Sequence, residues 1–87
     1  MSHLIKRLES QFPAMIPIEV VRANFFPHLS EDTFNRRARA NDLGFPIVRT
    51  DRSQKAAMFV YLEDLAEYLE SRRTVAIHEH AAISRHA

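Results

Sequence analysis

Asn35, Arg36, Arg37 and Arg39 crowd into five consecutive positions of an 87-residue chain. An arginine guanidinium can donate two parallel hydrogen bonds to guanine, and an asparagine amide can meet adenine in the same two-point way. Such a cluster has the chemistry to read base edges, and any cation left over can neutralise phosphate. Thr33 adds a hydroxyl on the same segment. A second basic group follows at Arg49, Arg52 and Lys55, with Ser53 and Gln54 between the last two. That composition suits the sugar-phosphate backbone or a minor groove.

Each cluster needs an element to carry it. In "HLSEDTFNRRARAND", Ser30 is a good N-cap, and Glu31 and Asp32 occupy the first turn, where acids favour the positive end of the helix dipole. A helix is predicted from 31 to about 41. On it Phe34, Ala38 and Asn41 point inward, while Asp32, Asn35, Arg36 and Arg39 point outward. Arg37 lies to one side, placed for a phosphate or an ion pair. Gly44, the one glycine in the sequence, stands just beyond, where a left-handed cap residue is expected.

Upstream, "HLIKRLESQF" repeats apolar residues at 4, 5, 8 and 12, close to helical spacing, until Pro13 stops it. "AMIPIE" reads as a short extended piece, because a residue before proline is pushed out of the α region. A helix then runs from Pro17 or Ile18 to about Phe26 and ends at Pro27. Downstream, "PIVRT" and "MFVYL" flank the polar "DRSQKAA" and read as a β-hairpin. "LEDLAEYLESRRTV" carries Leu62, Leu65, Ala66, Leu69 and Arg73 on one helical stripe. "AIHEHAAISRHA" has weak periodicity and is expected to be a mobile tail or a frayed helix.

The order is helix, turn, helix, hairpin, helix. It predicts an α+β fold, a small winged helix-turn-helix with a two-stranded hairpin wing and flanking helices. Residues 1–75 form the DNA-binding domain with an N-terminal helical extension, and 76–87 the tail. The helix at 31–41 is then the recognition helix, whose outer face the major groove fills.

Charge and composition narrow the function. The net charge of +1 hides a split: residues 1–61 carry nine Lys and Arg against six acids, and 62–70 carry four acids and no base. A basic middle beside an acidic helix is compatible with a polyanion-binding face. The absence of cysteine excludes disulfides and cysteine-ligated zinc. His78-Glu79-His80 has a spacing better suited to metal binding on a strand than on a helix, so no metal is assigned. No nucleophile-base grouping and no glycine-rich phosphate loop stands out, so neither an enzyme nor a cofactor is expected. No apolar run approaches the roughly 20 residues of a membrane span, and the first ten residues lack a signal-peptide core, so a cytoplasmic protein is expected.

The stretches "IPIEVVRANFFPHLSEDTFNRR" and "FPIVRTDRSQKAAMFVYLEDLAEYLESRR" together resemble the pyocin activator protein family, PrtN. The matching positions are Ile16–Glu19, Phe26, His28, Leu29, Phe34, Arg36, Arg37, Pro46, Val48, Arg49, Asp51, Ser53–Ala56 and Asp64–Tyr68. The "SQK" hairpin and the "DLAEYLE" helix are the most specific of these. The resemblance covers about Ile16 to Arg73 and implies a phage- or bacteriocin-linked, DNA-binding transcriptional activator. The chain departs from the family near Asn41, where members tend to carry glycine, which is consistent with a cap moved to Gly44.

Small winged helices of this layout also serve as excisionases (recombination directionality factors), which bind repeated sites and bend DNA. A third class is a protein-binding adaptor or antirepressor. The expected partner is double-stranded DNA, with RNA polymerase or an integrase as possible protein partners. One short helix and one wing cover few base pairs, so a homodimer or cooperative oligomer on DNA is expected. The candidate surfaces for it are the apolar stripe Leu4, Ile5, Leu8 and Phe12, and an acidic face, Glu63, Glu67 and Glu70, that could meet Arg22 or Lys6-Arg7 of a neighbour. The competing possibility is that the N-terminal stripe packs on its own core.

Overall fold

Proline and short polar caps set the element boundaries. The computed structural model describes residues 3–53 and 55–86. In chain order these form α1 (His3–Glu9), β1 (Met15–Pro17), α2 (Ile18–Phe25), α3 (Glu31–Arg39), β2 (Val48–Arg49), β3 (Met58–Tyr61) and α4 (Leu62–His86). The α+β class holds, but the sheet has three antiparallel strands in the order β1-β3-β2, not the two of a simple hairpin. The extra strand is the extended "MIP". Its register pairs Met15 with Tyr61, Ile16 with Val60 and Pro17 with Phe59. Pro17 has no N–H to donate, which an edge strand tolerates. β2 flanks β3 on the other side, pairing Val48 with Phe59 and Arg49 with Met58.

Alternation explains why β1 joins. Ile16 and Val60 face each other across the ladder and are both fully buried, whereas their neighbours Met15 and Tyr61 are exposed together. Burying Ile16 against Val60 offsets the entropy of ordering the segment after Pro13. The core continues through Val21 of α2, Phe34 of α3 and Leu65 of α4, all fully buried. Ile5 and Leu8 of α1 belong to the same core, with Leu4 and Phe12 packed against it. The N-terminal stripe is thus covered by the chain's own core, and it does not supply a free face for a second copy.

α4 leaves β3 without a loop: the Leu62 N–H donates to Ala14 O at 2.8 Å. Glu63 and Asp64 then fill its first turn, where carboxylates favour the helix dipole. The segment expected as a tail continues α4 to His86, with exposed side chains from Ser71 to Ser84. No described helix is long and apolar enough to cross a membrane.

Candidate nucleic-acid interface

Four aromatic rings gather where α3 is anchored. Phe26 lies 5.2 Å from Phe34, 6.1 Å from Phe45 and 6.4 Å from Tyr68, measured between centroids. Phe45 meets Tyr68 edge-on at 5.1 Å. Such geometries add to simple burial because ring edges meet ring faces. The rings join the turn after α2, the inner face of α3, the loop after α3 and α4. α3 is therefore held from behind, and its far side is left open.

The turn leading into α3 is clamped by an arginine. Arg22 donates to both oxygens of Glu19, at 2.6–3.0 Å, and its Nη1 donates to Leu29 O at 3.0 Å. The hydrogen bonds and charge of Arg22 hold the Glu19 carboxyl below its ordinary range, and Glu19 raises Arg22 in turn. Arg22 is thus engaged within its own chain rather than offered to a neighbour. An opposite-charge pair three residues apart on a helix is the signal that identifies this clamp in the sequence.

α3 opens as its sequence dictates. The Ser30 hydroxyl oxygen accepts from Thr33 N–H at 3.2 Å, and the hydroxyl donates to Thr33 Oγ1 at 2.9 Å. Thr33 is therefore half-buried and part of the cap. The helix closes with Asp42 N–H donating to Arg37 O at 2.9 Å and Asn41 N–H to Ala38 O at 3.1 Å. These two bonds form a Schellman motif, whose left-handed residue is the one just past the C-cap. That residue is Asn41, at φ 56°. The cap has not moved to Gly44, because asparagine tolerates the left-handed region. Gly44 is also at positive φ, 91°, for a different reason: a Cβ there would lie 2.7 Å from Tyr68 Cε1. The glycine lets the loop pass over the aromatic cluster.

The outer face of α3 carries exposed Asp32, Arg36 and Arg39. Neither arginine makes an ion pair or hydrogen bond through its guanidinium among the described residues. Arg37 lies to the side and turns back, donating to Asp42 O at 3.2 Å with its Nε 3.8 Å from the Asp42 carboxylate. Asn35 does not share the open face. It is half-buried at the flank, and its Oδ1 is shielded from solvent without a hydrogen-bond partner among the described residues. At about 100° per residue it sits a quarter-turn from Phe34, on the boundary between core and solvent. A two-point contact to a base would require its side chain to rotate.

The hairpin tip between β2 and β3 is built from local turns. Asp51 Oδ1 accepts from Ser53 N–H at 2.6 Å, and Ser53 Oγ accepts from Lys55 N–H at 3.1 Å. Side chains that satisfy backbone donors two residues on are typical of such turns. Arg49, Arg52, Ser53 and Lys55 are all exposed. Arg49 reaches Ser53 O only at 3.5 Å. Gln54 lies outside the described residues. His78 and His80 stand on α4, where a two-residue separation turns them to opposite sides. No group of three or more His, Asp or Glu among the described residues could hold a metal.

The family model described as pyocin activator protein PrtN matches residues 5–76. The chain belongs to this family. The match spans α1 to the middle of α4, and so takes in the capped α3, the Arg22 clamp and the hairpin. No curated protein and no solved structure matches the chain. Membership in the PrtN family supports a link to pyocin or prophage transcriptional activation.

Proposed function

We propose that this protein is a sequence-specific DNA-binding transcriptional activator of a prophage or bacteriocin cluster, acting as a winged helix-turn-helix. In this reading α2 and α3 form the helix-turn-helix, and α3 enters the major groove. β2, β3 and the tip between them form the wing, and β1 is the strand that ties the wing to the core. Arg36 and Arg39 read base edges. Arg37, Arg49, Arg52 and Lys55 bind backbone phosphates, with Ser53 and Gln54 beside them. Thr33 and Asn35 border the groove. The protein acts by binding and not by catalysis, and its work lies in the cytoplasm.

One observation carries this reading: the division of labour among the arginines. Arg22 and Arg37, which lie at the sides of the helix pair, are satisfied internally. Arg36 and Arg39, on the outward face of α3, have open guanidinium groups. Two unpaired bidentate donors on a rigidly anchored short helix match what base readout requires.

The test begins with duplexes selected from a random pool by the intact protein. Arg36→Ala and Arg39→Ala should each weaken binding to the selected site by about 1–3 kcal/mol, with the melting temperature unchanged. Lys55→Ala should weaken all duplexes alike and lower the salt slope by about one. A reporter placed downstream of the selected site should respond to the wild type and not to Arg36→Ala. Failure to enrich any duplex, or unaltered binding by both α3 variants, would remove α3 from the role.

A further inference from the structure

The three-stranded sheet is apolar on both faces. Cross-strand partners share a face. The register therefore turns Ile16, Val60 and Met58 toward the core, and sets Met15 beside Tyr61, and Pro17 beside Phe59 and Val48, on the outside. An antiparallel sheet with one solvated face ordinarily carries polar residues there. Here none of the five outer side chains is charged, and none belongs to the hydrophobic core. Met15 is 38% exposed and Tyr61 48%. A contiguous apolar surface of this kind marks an interaction site.

Beside Tyr61 the face opens into a groove of about 520 Å³, within the usual range of ligand pockets. Phe12 and Pro13 line it from the turn after α1, and two carboxylates border it, Glu9 from the end of α1 and Glu63 from the start of α4. Both glutamates are exposed, and neither makes an ion pair among the described residues. Glu63 suits the first turn of a helix, but Glu9 stands at the negative end of α1, where the helix dipole disfavours an acid. The fold alone does not account for its charge. Two carboxylates beside aromatic rings match an arginine, whose planar guanidinium stacks on a ring and forks onto a carboxylate.

We propose that the outer sheet face and this groove receive an arginine-bearing apolar segment of a partner protein. Its guanidinium pairs with Glu9 and Glu63, and its apolar side chains lie on Met15, Phe59 and Tyr61. Placing that partner in the transcription machinery rests on the activator reading; the chemistry of the surface does not. The groove takes no residue from α3 or from the hairpin tip, and Tyr61 stands at the end of β3 remote from that tip. DNA and partner are thus held on different surfaces at once. A second copy of the chain fits less well, because its matching face brings the same two carboxylates where an opposite charge is missing.

Two arms test this on the full chain. In the first, a synthetic amphipathic helix of leucine and arginine is titrated without DNA and followed by NMR. Backbone shifts should centre on Glu9, Phe12, Met15, Tyr61 and Glu63. Glu9→Gln combined with Glu63→Gln should weaken binding by about tenfold or more, and a peptide with glutamine for arginine should bind as poorly. Glu67→Gln combined with Glu79→Gln removes the same charge elsewhere on the chain and should bind normally. In the second arm, a reporter carries the duplex selected by the wild type. The Glu9→Gln, Glu63→Gln variant and Tyr61→Ala should occupy that site normally and lose activation, whereas Arg36→Ala loses both. Melting curves of each variant establish that it is folded. A wild type that selects no duplex or drives no reporter defeats the activator reading, and the peptide arm then decides the groove alone. Shifts centred elsewhere, binding indifferent to the two glutamates, or full activation by both variants at normal occupancy overturns the proposal. So does a wild-type dimer that Tyr61→Ala dissolves in sedimentation, because a second copy then covers the face.

Discussion

From Leu62 to Leu69, α4 lies against the core, with Leu62, Leu65 and Ala66 buried; from Ser71 to Ser84 every side chain is exposed. The two halves are one helix with one continuous hydrogen-bond ladder, yet their stability has different sources. The first half exists because burying its apolar stripe outweighs the entropy of ordering it. The second half adds turns to a helix already nucleated, which removes the unfavourable first step but adds no packing. Helical structure and contribution to the fold are therefore separate properties. The family match, which ends at residue 76, stops close to where packing against the core stops.

The largest contrast between the halves is expected from truncating one apolar side chain in each. Leu65→Ala should cost about 2–5 kcal/mol in urea unfolding, the usual range for a fully buried leucine. Ile83→Ala, measured at low protein concentration, should stay within about 0.5 kcal/mol. Comparable losses at both sites would erase the distinction. Next in size is Gly44→Ala, which combines a positive φ with a Cβ 2.7 Å from Tyr68 in the first half of α4. A cost of about 1–3 kcal/mol is expected, with Asn41→Gly as the near-neutral control because glycine adopts the same left-handed cap freely. A melting temperature unaffected by Gly44→Ala would mean that the loop does not depend on its passage over Tyr68.

Hydrogen exchange resolves the same contrast along the helix. Amides around Leu65–Leu69 should open only with global unfolding, and those beyond Val75 should open at much lower cost in the dilute chain. Uniform protection along α4 would contradict this. The smallest effect concerns acid, away from α4. The Glu19 carboxyl is held low by Arg22, so the pair's stabilisation is fully present above the unfolded carboxylate pKa and is lost as pH falls through the lower folded value. Glu19→Gln should therefore flatten the acid limb of the melting-temperature profile and leave the neutral range nearly unchanged. An unaltered acid limb would show that the clamp on Leu29 does not depend on ionised Glu19.

What the sequence determined by itself was local. Ser30 as a cap, Pro27 as the stop of α2, the acids in the first turns of α3 and α4, and Arg36 and Arg39 on the outer face of α3 all rest on contacts within four residues, whereas α1 ends at Glu9, short of Pro13. Arg37 as an ion-pair donor was legible for the same reason. Tertiary structure decided the rest. "MIP" became a third strand only because Val60, 44 positions away, meets Ile16; such a pairing leaves no mark in a short window. The N-terminal stripe turned inward because α1 found the core and α4. Asn35 fell on the buried side of a boundary that helical periodicity draws only to within a quarter-turn. The sequence pointed to Gly44 as the left-handed cap and to Asn41 as an inward residue of the helix, whereas the ring of Tyr68 is what demands a residue without a Cβ at 44. The left-handed cap then lay at Asn41, because the two closing hydrogen bonds of α3 end there.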